Sequence, residues 1–154
     1  VEGIIEGIVE KIGFRSTVIR TFDTAPMTIP NKDLSDVKLI NHGEMTNRRI
    51  NWRINLIYST SIEQLEAIRS DIKKYIEESN DFINDDEIEH VVRVVELGPS
   101  SIDVMIVAYC EPVGFVDFNL IKENLVFNIM KIVKTNGSEF AYPSSSVYVE
   151  SMPK

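Results

Sequence analysis

The 154-residue sequence predicts two small domains of different class. A β-barrel domain comes first, and an α+β sandwich of the ferredoxin-like βαββαβ kind follows it. Three observations carry this. Residues 14–22 (FRSTVIRTF) are dense in β-branched and aromatic side chains, which suit a pleated, half-buried surface. Residues 48–58 (RRINWRINLIY) give the cleanest alternation of apolar and polar residues in the chain. From there the periodicity runs helix, strand, strand, helix, strand. The domains are expected at residues 1–50 and 51–154, because the long alternating strand reads as leaving one and entering the other.

In chain order, residues 4–12 read as a strand, with Gly7 marking a bulge or a close approach. Gly13 turns the chain into residues 14–22, where Phe14, Val18 and Phe22 share one face and Arg15, Thr17, Ile19 and Thr21 the other. Asp23-Thr24-Ala25-Pro26 is a turn. It lacks Gly, so a tight two-residue primed hairpin is not expected and a longer turn is. Met27 resumes the strand, Pro30 stops it, and Asn31 sits where a helix N-cap belongs. Residues 37–41 read as a further short strand.

In residues 48–58, Ile50, Trp52, Ile54, Leu56 and Tyr58 lie on one face and Arg49, Asn51, Arg53 and Asn55 on the wet one. Ser59-Thr60-Ser61 then opens a helix. Thr60 with Glu63, or Ser61 with Gln64, has capping-box spacing. Ile62, Leu65, Ile68, Ile72 and Ile76 form its apolar stripe. Residues 90–97 and 102–110 are strands joined by Gly98-Pro99-Ser100-Ser101, with Ile102, Val104, Ile106 and Ala108 facing inward. Residues 115–134 form a second helix with the stripe Phe115, Phe118, Ile121, Leu125, Ile129 and Ile132, ended by Asn136-Gly137. A last strand is expected at 146–149.

Composition narrows the function classes. Apolar residues make up 44% of the chain, a globular share. The longest apolar runs fall well short of the ~20 residues a membrane helix needs. Up to Tyr58, eight Lys/Arg face seven Asp/Glu; beyond it, eight face seventeen, so the net −8 sits in the second part. That acidity opposes binding to nucleic acid or to an anionic membrane surface. The lone Cys110 lies in an apolar strand and reads as a buried, inert thiol.

The search for chemistry yields no catalytic, cofactor or metal residues. His42 and His90 have no second ligand at metal spacing, and His90 reads as an exposed imidazole salt-bridged to nearby Glu87 and Glu89. The acidic residues Asp85, Asp86, Glu87 and Glu89 lack a calcium-loop pattern and read as a solvated loop. There is no nucleophile elbow, phosphate loop or dinucleotide fingerprint. Trp52, Tyr58 and Tyr109 are strand aromatics, but the RNA-recognition pattern is missing. Ser59-Thr60-Ser61 has no Arg beside it, against an acyl-phosphate hydrolase.

Glu6-Gly7, Val9-Glu10, Ile12-Gly13, Arg15-Ser16-Thr17, Ile19-Arg20-Thr21 and Ile29-Pro30-Asn31, followed by Ile40-Asn41 and Arg48-Arg49, are similar in identity and order to the small-conductance mechanosensitive ion channel (MscS-like) family. The closing Phe140-Ala141-Tyr142-Pro143 before Val147 resembles its aromatic-proline connector. The resemblance implies an Sm-like barrel, a ferredoxin-like second domain, no enzyme activity and no cofactor. It marks Gly7, Gly13, Arg15, Thr17, Arg20, Pro30 and Asn31 as structural motif residues, with Arg15, Thr17 and Arg20 in strand pairing and subunit contacts. It implies a homo-oligomer, a heptamer in the full-length channel, whose cytoplasmic vestibule this chain helps enclose. The parent would sit in the cell's inner membrane and open under bilayer tension to relieve osmotic stress. The start at Val1, inside a strand-like pattern, fits a fragment whose membrane helices precede it. The competing reading is a soluble two-domain regulatory or ligand-binding module.

Overall fold

The computed structural model describes residues 6–85, 88–111 and 113–143. The chain divides into two compact units, Val1–Glu44 and Met45–Lys154.

In the first unit, strands β1 (Gly7–Ile12), β2 (Ser16–Thr21) and β3 (Pro26–Pro30) form an antiparallel sheet in sequence order. A one-residue bulge falls at Glu10, between the pairs Val9↔Ile19 and Lys11↔Val18. The β2–β3 turn is longer than a two-residue hairpin, as its lack of Gly predicts. Thr21 N–H donates to Ala25 O (3.0 Å) and Thr24 N–H to Thr21 O (2.9 Å). Thr24 occupies the left-handed region (φ 64°) that such a turn requires and that a β-branched side chain resists. Thr24→Gly should therefore stabilise this unit by about 1 kcal/mol, read as a rise in its denaturation midpoint.

Asn31 is not the cap. Helix α1 (Asn31–Ser35) starts at it, and Pro30 holds the capping position without a side-chain bond. The amide of Asn31 is already committed elsewhere, as described below. Residues 37–41 form no strand: Val37, Leu39 and Ile40 are 55–80% exposed and find no ladder partner among the described residues. Apolar alternation supplied the shape of a strand there but nothing for it to pair with.

In the second unit, β4 (Arg48–Leu56), β5 (Val91–Leu97) and β6 (Ile102–Cys110) form an antiparallel sheet ordered β4-β6-β5. Strand β4 lies wholly within this unit. Helices α2 (Ile62–Glu78) and α3 (Phe115–Thr135) supply the rest of the core. The crossover order is that of the split βαβ, with the slot for a fourth strand beside β4. Phe140 enters that slot through a bridge to Leu56, and Ala141 N–H donates to Asn55 O (2.8 Å). The strand expected at 146–149 lies outside the described residues.

Ile102, Val104, Ile106 and Ala108 on β6 are buried as the alternation predicts, and the last three pack with Ile68, Ile72 and Ile76 of α2 and Leu125, Ile129 and Val133 of α3. The α2 capping box is Ser61 with Gln64: Gln64 N–H donates to Ser61 Oγ, and Ser61 N–H to Gln64 Oε1. Helix α3 ends where Gly137 takes φ +70°, and Gly137 and Ser138 N–H return to Lys134 and Val133 carbonyls. Two stripe residues fall outside the core: Ile62 is 71% and Phe115 76% exposed.

Candidate functional site

The sequence-predicted motif residues sit in the first unit, and the structure gathers most of them into two clusters. In one, Thr17 Oγ1 donates to Asn31 Oδ1 (2.8 Å), and Asn31 Nδ2 donates to Gly13 O (2.9 Å). Asn31 N–H also donates to Arg15 O (3.0 Å). One amide side chain thus ties the β1–β2 turn to the β3–α1 junction, and Thr17 is buried beneath it. Gly13 closes the turn by donating to Ser16 O (2.9 Å), and Pro30 ends β3 directly before the clamp.

In the other cluster, Arg20 forms a two-pronged ion pair with the bulge residue Glu10, Nη2 to Oε2 at 3.0 Å and Nε to Oε1. Its Nη1 donates to Thr24 O (2.6 Å), so one guanidinium spans the bulge and the strained turn. The hydrogen bond from Arg20 holds the Glu10 carboxyl below the usual carboxylate range. Gly7 lies against this strand. A Cβ there would meet Arg20 O at 2.4 Å and Ile19 Cγ2 at 2.7 Å. Arg15 is exposed, and only its backbone joins the clamp.

What surrounds these clusters is unusual for a lone domain. Every residue of β1 is exposed, and Ile8, Val9, Ile12, Phe14 and Phe22 stand 53–98% in solvent. Among the described residues Ile29 is the buried apolar side chain of this unit. A sheet with so little of its own core needs a second layer from elsewhere.

The second unit holds a polar cluster that the sequence reading missed. Asp103 is 6% exposed on β6. It accepts from Ser101 Oγ and Asn55 Nδ2, both at 2.7 Å, and from Arg53 Nη1 at 3.4 Å; Arg53 also pairs with Glu96 at 2.8 Å. The Ser101 hydrogen bond, helped by Asn55 and Arg53 and opposed by desolvation, keeps the Asp103 carboxyl below its ordinary range. A lowered folded-state value means its stabilisation is complete above the unfolded carboxylate range and fades as pH falls through it. The melting temperature should fall as pH drops below about 5, and Asp103→Asn should flatten that slope. The signal available in sequence was the cross-strand placement of Asn55 opposite Asp103.

His90 corrects the expectation of an exposed, salt-bridged imidazole. It is 6% exposed, with Nε2 2.7 Å from Ile83 O and Nδ1 accepting from Tyr109 N–H at 3.3 Å. Phe82 meets the ring edge-on, and Tyr109 lies tilted beside it. Both ring nitrogens are spent on backbone, which fixes the loop before β5. Cys110 is fully buried, burial raises its thiol pKa, and its Sγ contacts Arg48 O at 3.7 Å. Among the described residues no group of His, Cys, Asp and Glu is arranged to hold a metal ion, and no helix is long and apolar enough to cross a membrane. The geometry on view builds surfaces and tethers.

The sequence matches the family description "Mechanosensitive ion channel, beta-domain" over residues 3–44, and "Mechanosensitive ion channel MscS, C-terminal" over residues 50–140. It is 40% identical over 148 residues to an uncharacterized MscS family protein of Aquifex aeolicus, covering 96% of this chain and 40% of that one. It is 30% identical over 151 residues to the low conductance mechanosensitive channel YnaI of Escherichia coli, covering 96% of this chain and 42% of that one. The chain therefore spans about two-fifths of the length of these curated relatives. The fold is similar to Arabidopsis thaliana MSL1, with a TM-score of 0.84 at 18% identity over 92% of this chain and 50% of that one. It is also similar to Helicobacter pylori MscS in its closed state, with a TM-score of 0.78 at 23% identity over 96% of this chain and 56% of that one. A β domain followed by an α/β domain, matched in both halves, places this chain in the MscS family of mechanosensitive ion channels.

Proposed function

We propose that this chain is the vestibule-forming part of a channel that opens under membrane tension and relieves osmotic stress. In this reading it assembles as a homo-oligomeric ring, sevenfold in the intact channel, on the cytoplasmic side of the cell membrane. It shapes and filters the path to the pore without conducting or catalysing anything itself. The observation that carries the reading is the first unit's lack of a self-sufficient core: β1 is exposed along its whole length, with Ile8, Val9 and Ile12 in solvent. Exposed apolar sheet of this kind is stable when neighbouring copies cover it, and a cyclic assembly supplies them. The acidic second part, with eight Lys/Arg against seventeen Asp/Glu after Tyr58, would raise the cation concentration beside it.

The test is made on the intact gene product. Its coding sequence should include hydrophobic spans ahead of Val1, and the purified protein in lipid patches should pass current under suction. A gene product without such spans, or one silent up to patch rupture, would favour the soluble regulatory module.

A further inference from the structure

We propose that the seam between α3 and β4 binds a fatty acid, with the carboxylate on Arg48 and Lys122 and the alkyl chain in the apolar groove beyond them. This goes beyond the vestibule reading and does not depend on it.

Two rows of side chains build the seam. On α3, Phe118, Lys122, Val126 and Met130 recur at every fourth residue and share one face, a row roughly 18 Å long at the helical rise. On β4, Trp52 and Ile54 turn toward the helices at period two, and Arg48 does the same, its guanidinium resting on Phe118. Val126 and Met130 are partly exposed, so the seam opens to solvent.

Charge gathers at one end. The Arg48 guanidinium lies 4.7 Å from the Phe118 ring centre. Lys122 Nζ lies 5.6 Å from the same ring and 6.0 Å from that of Trp52. Asp117 and Glu123, next to Phe118 and Lys122 in the chain, are exposed. Among the described residues no carboxylate pairs with Arg48 or Lys122, and no acceptor takes a hydrogen bond from the Arg48 guanidinium. Its Nε is closed off from water without a partner, a costly state for a donor. Two unpaired cations flanking one ring are a seat for an anion.

The other end is apolar. A groove of about 270 Å³ is lined by Trp52, Ile54, Val126, Ile129, Met130 and Phe140. Trp52 belongs to both ends, so head site and groove are continuous. The volume is at the small end for ligand pockets and takes one alkyl chain, not the two of a membrane phospholipid. The head is a carboxylate because the guanidinium fork matches its plane. The surplus of seventeen Asp/Glu over eight Lys/Arg after Tyr58 also disfavours a dianionic phosphate.

Trp52 is the single tryptophan of the chain, so its emission reports on the site. Dodecanoate, titrated below its micelle concentration into the full 154-residue chain, should shift that emission and saturate at one per chain. Affinity should rise about fourfold with each methylene from octanoate to dodecanoate. Lys122→Gln, and separately Arg48→Gln, should weaken dodecanoate at least tenfold and leave dodecanol binding unchanged. Met130→Glu, at a half-exposed position, should weaken both ligands with the thermal midpoint unchanged. No saturable binding by emission or calorimetry would overturn the inference, and is the result expected if the chain's own end or a second copy fills the groove. Dodecanol binding as tightly as dodecanoate, affinity indifferent to both Gln variants, or a preference for dodecyl phosphate or phosphatidylglycerol vesicles would also overturn it. None of these outcomes bears on whether the intact protein conducts.

Discussion

Ile106→Ala should cost the second unit about 3–4 kcal/mol, the largest loss expected from a single truncation in this chain. Ile106 sits at the middle of the central strand, between Trp52 on β4 and Val92 on β5, and is fully buried. Both helices pack onto the core it belongs to, so neither can move in to fill the hole without leaving another contact. Part of the loss is transfer of the removed methylenes to water, and the rest is the cavity. Urea unfolding of the second unit should show a lower midpoint with an unchanged slope. A loss under about 1 kcal/mol would mean that the helices close onto β6 freely and that the sheet centre is not the core.

Gly7→Ala should be nearly as damaging in the first unit, at about 2–3 kcal/mol. The added methyl carbon would stand 2.4 Å from the Arg20 carbonyl oxygen and 2.9 Å from its carbon. These atoms are backbone, so the strand itself must shift. Moving it pulls on the Gly7↔Thr21 and Ile8↔Arg20 pairs and on the guanidinium that Glu10 and Thr24 share. A unit with so small a core has little stability in reserve. Amide exchange should show β1 and β2 losing protection while β6 keeps it. Retained protection in β1 would mean that the bulge absorbs the methyl group.

Local signals were legible in the sequence where they fixed structure alone. The Gly137 stop and the inward set on β6 depend on a few neighbouring residues and came out as read, and the α2 capping box is the Ser61–Gln64 one of the two pairs with the right spacing. The longer turn at Thr24 followed from the missing Gly. Helix α3 was legible in extent and in phase, since Leu125 and Ile129 are buried and Phe118, Ile121 and Ile132 pack against the core; its first turn was not, and Phe115 stays in solvent. Residues 37–41 show the limit of alternation, because a strand is a property of two segments and one segment cannot supply its partner. Asn31 and His90 depended on contacts at long sequence separation. The clamp joins residue 31 to residues 13 and 17, and His90 is buried by Phe82 and Tyr109. The motif residues were found through family likeness; what each touches became visible only with the fold.

The solitary thiol at the end of β6 turns this chain into its own stopwatch. With Cys110 sealed beneath the sheet, a thiol-reactive dye reports each moment the second unit springs open. Labelling should slow in proportion to the rarity of that opening, by about a thousandfold for every 4 kcal/mol. The clock comes with the native sequence and needs no engineered thiol.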